Sequence, residues 1–302
     1  MTRLAIMGVL LCFACAACFC LGYRLASRIN QVCRRLGLWR ISRKFTPRLL
    51  YDEPGSWYSQ AKPILWAHAG GGRLHTYGNS KEAIEDSISK GFKVIEIDLD
   101  LTSDGVPVLS HRFRPGNQIQ FDHRPTLSEF LSAPLNGKYT PLTLKGLFEE
   151  FKSYDGYWAI DSWGLHDSGM EFDLPSYLCE MLGEERARKI IYLANSLHKG
   201  IRVAKSGQFA SVHCGLPEDI DKSEGLWQLS HLIRIYTGAG IRSVTLMDRP
   251  ISEMTKVVVS RLREAGIHVS ICGVETAERV RRWLAVGADV FNTDRLTPDI
   301  KL

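Results

Sequence analysis

The chain has 302 residues, is 45% hydrophobic and carries a formal net charge of +5, enough to bury one large core of barrel size or two smaller ones. The charge excludes a uniformly basic, nucleic-acid-binding surface. Residues 1–50 hold Arg3, Arg24, Arg28, Arg34, Arg35, Arg40, Arg43, Lys44 and Arg48 without one acid, and the balance beyond Tyr51 is mildly acidic. The cysteines exclude a disulfide framework, since Cys12, Cys15, Cys18 and Cys20 crowd one apolar run while Cys33, Cys179, Cys214 and Cys272 are scattered.

In chain order, Leu4 to Tyr23 is an almost unbroken apolar stretch of about the length that spans a bilayer. It is long for a signal-peptide core and lacks a clean cleavage site, so it reads as an uncleaved transmembrane helix. The arginines that follow it place the bulk of the chain on the cytoplasmic side of a single-pass membrane protein. Residues 24–62 form a basic juxtamembrane segment in which Leu25, Ile29, Val32 and Leu36 recur at helical spacing. A helix lying on anionic lipid and a solvated basic linker both fit that pattern.

From residue 63 to 302 short apolar runs alternate with helix-length segments. The expected strands are Ile64–Ala67, Lys93–Leu99, Val106–Ser110, Tyr157–Asp161, Ile190–Leu193, Ala210–His213, Ser243–Leu246, His268–Cys272 and Val290–Asn292. The expected helices are Ser80–Lys90, Thr143–Tyr154, Leu174–Lys189, Glu224–Thr237, Ile251–Ala265 and Thr276–Val286. Such alternation argues for a parallel sheet with crossover helices. The strand count, about eight plus one hairpin-like element, fits a closed (β/α)8 barrel. No glycine-rich nucleotide fingerprint follows any strand. The polar stretch from His111 to Thr140 reads as an active-site loop.

The run KVIEIDLDLTSDGVPVLSH, residues 93–111, concentrates the chemistry. Ile95, Ile97, Leu99 and Leu101 alternate with Glu96, Asp98 and Asp100, so Glu96 and Asp98 share one strand face about 7 Å apart. Strands of a parallel barrel are normally apolar on both sides. Two carboxylates there need a hard divalent cation, unless they face solvent or pair with arginines. His68 follows the first strand, His111 the hairpin-like one, and Asp161 ends another. In a barrel all three reach the C-terminal rim, where histidines suit acid/base work near neutral pH.

These residues bring out a resemblance. AHAGGG and YGNS near the start, EIDLDLTSDGVPVLSHR in the middle and VGADVFNTDRL near the end resemble, in order, the motifs of the glycerophosphodiester phosphodiesterase family of phosphatidylinositol-phospholipase-C-like barrels. The resemblance runs over about residues 63–298. It implies a metal-dependent phosphodiesterase acting on a glycerophosphodiester or lysophospholipid headgroup. His68 and His111 match the family's acid/base histidines. Glu96 and Asp98 match its metal ligands, and Asp161 stands where the family has a ligating glutamate. The implied cofactor is Mg²⁺ or Ca²⁺, and the implied partners are the substrate and, through the anchor and basic segment, a membrane, with no nucleic acid.

The chain also departs from the family. Ala69 replaces an arginine, Trp163 a lysine, Cys272 a tryptophan and Arg112 an aspartate. The first two changes remove phosphate-facing cations, which Arg73 and Arg112 are placed to replace from nearby loops. A non-catalytic lipid- or phosphate-binding module and a lyase that stops at the cyclic phosphate are the alternative readings.

Overall fold

The computed structural model describes residues 56–302, apart from 61, 72–77, 112, 114–120, 168–169, 171 and 222–224. All of them fall within one compact unit, Pro47–Leu302. The strands are β1 (Ile64–Ala67), β2 (Val94–Leu101), β3 (Pro107–Leu109), β4 (Tyr157–Asp161), β5 (Ile190–Ala194), β6 (Ser211–Gly215), β7 (Ser243–Met247), β8 (His268–Cys272) and β9 (Val290–Thr293). Eight of them pair in parallel in the order β1-β9-β8-β7-β6-β5-β4-β2, and β1–β2 pairing closes the ring. This is the (β/α)8 barrel expected from the alternation of elements. The hairpin-like element is β3, antiparallel to β2 with Leu99 opposite Leu109.

Closure is uneven. Four residue pairs join β1 to β9, whereas only Ala67–Ile95 registers β1 on β2.

The helices are α1 (Lys81–Ser89), α2 (Leu127–Ser132), α3 (Leu144–Glu150), α4 (Trp163–Asp167), α5 (Leu174–Ala187), α6 (Leu197–Ser206), α7 (Gly225–Ala239), α8 (Glu253–Glu264) and α9 (Ala277–Ala285). Side-chain caps begin many of them. Ser80 accepts from Ala83 N–H at 3.2 Å, and Thr126 with Glu129 forms a full capping box on α2, each satisfying donors that a helix start leaves unpaired. Three helices go beyond those expected: α2, inside the polar stretch, α4 and α6.

The period of two along the strands divides the core. Ile64, Trp66, Val94, Ala159, Ile191 and Val290 pack together as one cluster with Trp57. Their neighbours Leu65, Ile95, Ile97, Ile160 and Ile190 belong to the larger apolar cluster shared with the helices. Trp57, in a 3-10 turn (Trp57–Ser59), lies ahead of the expected domain start and meets Trp66 edge-on at 5.4 Å between centroids. It also meets the ring of His213 at 5.4 Å.

The membrane location expected from Leu4–Tyr23 is corrected here. Among the described residues no helix is long and apolar enough to cross a membrane. The longest, α7, has 15 residues, where about 20 apolar ones are needed. The expected anchor, residues 1–23, and the basic segment up to residue 55 lie outside the described residues, and the cytoplasmic placement and membrane partner drawn from them go with that correction.

Candidate active site

The site is built at the C-terminal ends of β1, β2, β4 and β9. Parallel pairing sets Asp98 of β2 beside Asp161 of β4, with Glu96 one inward-facing step earlier, opposite Ala159. Glu96, Asp98 and Asp161 thereby converge, with one ligand atom from each lying within 4.8 Å of the others. Glu96 is 2% exposed and Asp98 6%. Burial pushes the Glu96 carboxyl well above the usual carboxylate range, and the charge of Asp98 adds to it against the opposing pull of His68. Three acids at this spacing, two of them buried, suit a hard divalent cation with oxygen ligands. The donor set therefore fits the cation that the sequence implied.

Each of these acids is itself held. The Ala69 N–H donates to Glu96 Oε2 at 2.7 Å. Asn79 donates its Nδ2–H to Asp98 Oδ2 at 2.8 Å, and its Oδ1 accepts the Asp98 N–H at 3.1 Å. Asp161 Oδ1 accepts from Trp163 N–H at 2.7 Å. Holding these contacts forces the β1–α1 loop into unusual backbone. Ala69 and Asn79 take φ of 49° and 58°, in a region that costs an L-residue about 1–2 kcal/mol, although asparagine tolerates it better than alanine. The strained backbone of Ala69 thus stands directly beside Glu96, and strain of this kind concentrates at functional sites.

His68 follows β1 directly and lines the cleft together with Glu96 and Asp161. Its Nδ1–H donates to Asp294 Oδ1 at 2.8 Å. Burial works against the imidazolium, but the Asp294 hydrogen bond and the charges of Glu96, Asp98 and Asp294 outweigh it and push His68 up to about 10. Asp294 lay unassigned in the NTD stretch of the sequence, as did Asn79 in YGNS. The motifs contain both residues, but only the closed ring brings them to their partners.

His111 reaches the rim from the opposite chain direction. It follows antiparallel β3, immediately after Ser110, whose N–H donates to Asp98 O at 3.1 Å. Its residue is exposed. The structure thus gathers His68, Glu96, Asp98 and Asp161 around one point and sets His111 just past the end of β3, which pairs with β2. Arg73 and Arg112, expected to supply positive charge, lie outside the described residues.

The cleft occupies about 250 Å³ and is lined beyond the acids by Trp163, Leu193, Met247 and Cys272, with no lysine or arginine among its described lining residues. Trp163 and Met247 are 48% and 58% exposed at its mouth. Cys272 accepts a long contact from Asn292 Nδ2 at 3.8 Å.

Residues 68–140, the stretch that carries His68, Glu96, Asp98 and His111, match the glycerophosphoryl diester phosphodiesterase family. No curated protein matches the chain by sequence. Solved structures do match the fold. A glycerophosphoryl diester phosphodiesterase from Parabacteroides distasonis is 18% identical with a TM-score of 0.58, covering 79% of this chain and 86% of its own. One from Thermotoga maritima is 18% identical at a TM-score of 0.58, covering 78% and 96%. A phosphodiesterase from Oleispira antarctica, solved in complex with the product sn-glycerol-3-phosphate, is 17% identical at a TM-score of 0.59, covering 77% and 93%. The match to the glycerophosphoryl diester phosphodiesterase family thus covers the stretch that carries most of the candidate site residues, and the chain shares the barrel fold of these solved phosphodiesterases at low identity.

Proposed function

We propose that the barrel hydrolyses a glycerophosphodiester or a lysophospholipid headgroup by histidine acid/base catalysis with a divalent cation. The observation that carries this reading is the convergence of Glu96, Asp98 and Asp161 within 4.8 Å beside the His68–Asp294 pair. The product complex of the Oleispira antarctica phosphodiesterase supports it by analogy of fold.

Mg²⁺ or Ca²⁺ held by the three acids would supply positive charge for the phosphate oxygens. The chain's own residues do the rest. Asp294 occupies Nδ1 of His68 and so leaves Nε2 as the nitrogen that exchanges a proton with substrate. One of His68 and His111 takes the proton of the glycerol 2-hydroxyl as its oxygen attacks phosphorus. The other protonates the departing alcohol. Water then opens the cyclic phosphate with the two proton transfers reversed. The Ala69 N–H and Asn79 hold Glu96 and Asp98 in place throughout.

The lack of lysine or arginine along the described cleft wall favours, as the second reading, a site that binds phosphate or lipid without turnover. Full-length protein is assayed on glycerophosphocholine and lysophosphatidylcholine with Mg²⁺, Ca²⁺ or EDTA, with products followed by phosphorus NMR. Cation-dependent release of a glycerol phosphomonoester is expected. A cyclic phosphate as end product identifies a lyase, and intact folded protein releasing nothing under any condition retires the enzymatic reading.

A further inference from the structure

Asp100 continues the alternation of Glu96 and Asp98, yet it serves neither the cation site nor the apolar core. It lies one step past the barrel, where β2 has left β4 and pairs with β3 opposite Val108. Its side chain is 1% exposed, and a carboxylate so buried needs partners.

Among the described residues it has three donors. Leu101 N–H reaches Oδ1 at 2.7 Å, Arg124 Nη1–H reaches the same oxygen at 2.6 Å, and Phe113 N–H reaches Oδ2 at 2.8 Å. Arg124 also donates to the Leu101 carbonyl and lies over the Phe113 ring at 5.4 Å. Phe113 in turn meets Phe130 of α2 edge-on at 5.9 Å. A single acid thus pins to β2 two residues that stand eleven apart in sequence. Only an acceptor without hydrogens can take three donors at once, because an amide in its place turns an N–H toward one of them.

Phe113 is two residues beyond His111, and the backbone of His111 is gripped on its other sides as well. Ser110 N–H is bonded to Asp98 O at 3.1 Å. The His111 carbonyl packs 3.0 Å from where a Cβ on Gly164 would stand, so α4 approaches closely only because that residue is glycine. An exposed ring takes its direction chiefly from the backbone that carries it.

We propose that Asp100 is a positioning residue for His111, a buried carboxylate that clamps Phe113 and Arg124 and so fixes the backbone from which the imidazole works. This rests on the acid/base reading of His111. Its consequence is specific. Loosening the clamp costs turnover through His111 and leaves the cation site, two residues back on β2, as it was.

The test is a double-mutant cycle on full-length protein, with glycerophosphocholine as substrate and Mg²⁺ titrated. Asp100→Asn and Arg124→Gln are each expected to lower kcat about tenfold to a hundredfold, the scale of a misplaced catalytic group, with KM and the Mg²⁺ dependence within about twofold of wild type. Arg124→Lys, which keeps the charge, recovers most of the loss. In a His111→Ala background, measured on residual or imidazole-rescued turnover, Asp100→Asn adds nothing further. Losses that multiply in the double variant, wild-type kcat in Asp100→Asn, or a weakened Mg²⁺ dependence each overturn the proposal. Wild-type turnover by His111→Ala overturns the acid/base reading itself and the proposal with it. Melting curves identify a variant that fails to fold, and the Arg124→Gln arm then carries the cycle in place of Asp100→Asn.

Discussion

His213 makes acid sensitivity a property of the barrel interior. Its ring is 1% exposed, lies 4.8 Å from the Trp66 ring, and has Nδ1 3.0 Å from Ser243 Oγ. Burial, with a smaller contribution from the charge of His268, pushes His213 down to about 3. In the unfolded chain a histidine titrates near 6.5. Above that pH both states are neutral and the full stability is present. As pH falls below 6.5 the unfolded chain gains a proton that the folded barrel refuses, so stability is lost progressively until about pH 3. Each pH unit is worth about 1.4 kcal/mol, and at pH 4.5 the loss is about 3 kcal/mol, a large fraction of the 5–15 kcal/mol that holds a typical domain. Urea unfolding, followed by tryptophan fluorescence at pH 7.5 and 4.5, measures this against His213→Gln, which cannot titrate. The variant pays a packing penalty at both values, so the informative quantity is the wild-type stability minus that of the variant. It is expected to fall by about 3 kcal/mol between the two pH values. A difference that stays constant refutes the reasoning, because it means that the buried ring takes its proton without cost.

Two further predictions concern the rim. Ala69→Gly removes a side chain from a backbone at φ 49° and should raise stability by about 0.5–1 kcal/mol in the same urea assay. Glu96→Gln keeps an acceptor for the Ala69 N–H but removes a carboxyl that burial and the neighbouring Asp98 charge make costly to ionise. The cation-free variant should therefore melt at or above wild type near neutral pH, while the rise in melting temperature on adding millimolar Ca²⁺ or Mg²⁺, expected for wild type, disappears together with turnover.

The regular part of the molecule was legible from local pattern. Tyr157–Asp161 and His268–Cys272 have the bounds that their apolar runs suggest, because a barrel strand is apolar throughout and its ends are marked by polar residues. The acid alternation of residues 96–100 was equally plain, since a period of two fixes the face before any partner is known. Helix α6 was missed although Ser196 caps it and Gly207 ends it in a left-handed turn, because its apolar face is short and relies on the small residues Gly200 and Ala204, which give little hydrophobic signal. Helix α2 sits in a stretch whose polarity reads as loop, and only the Thr126–Glu129 box betrays it. Long-range partnerships were out of reach. His68 and Asp294 stand 226 residues apart, and no spacing rule links them until β1 lies beside β9. The same holds for Asp100 and Arg124, which local pattern leaves as one more alternating acid and one more loop arginine.

The thin seam between β1 and β2 has a consequence for how the barrel breathes. One register pair holds it, and the remaining stitching is done by the Ala69–Glu96 and Asn79–Asp98 hydrogen bonds, which end on the very acids that would bind the cation. A cation held by those acids would therefore brace the seam, so that opening the ring and releasing the cation would be coupled. In hydrogen exchange, amides along this seam should open sub-globally without the cation and take on the protection of the β1–β9 junction once it is bound.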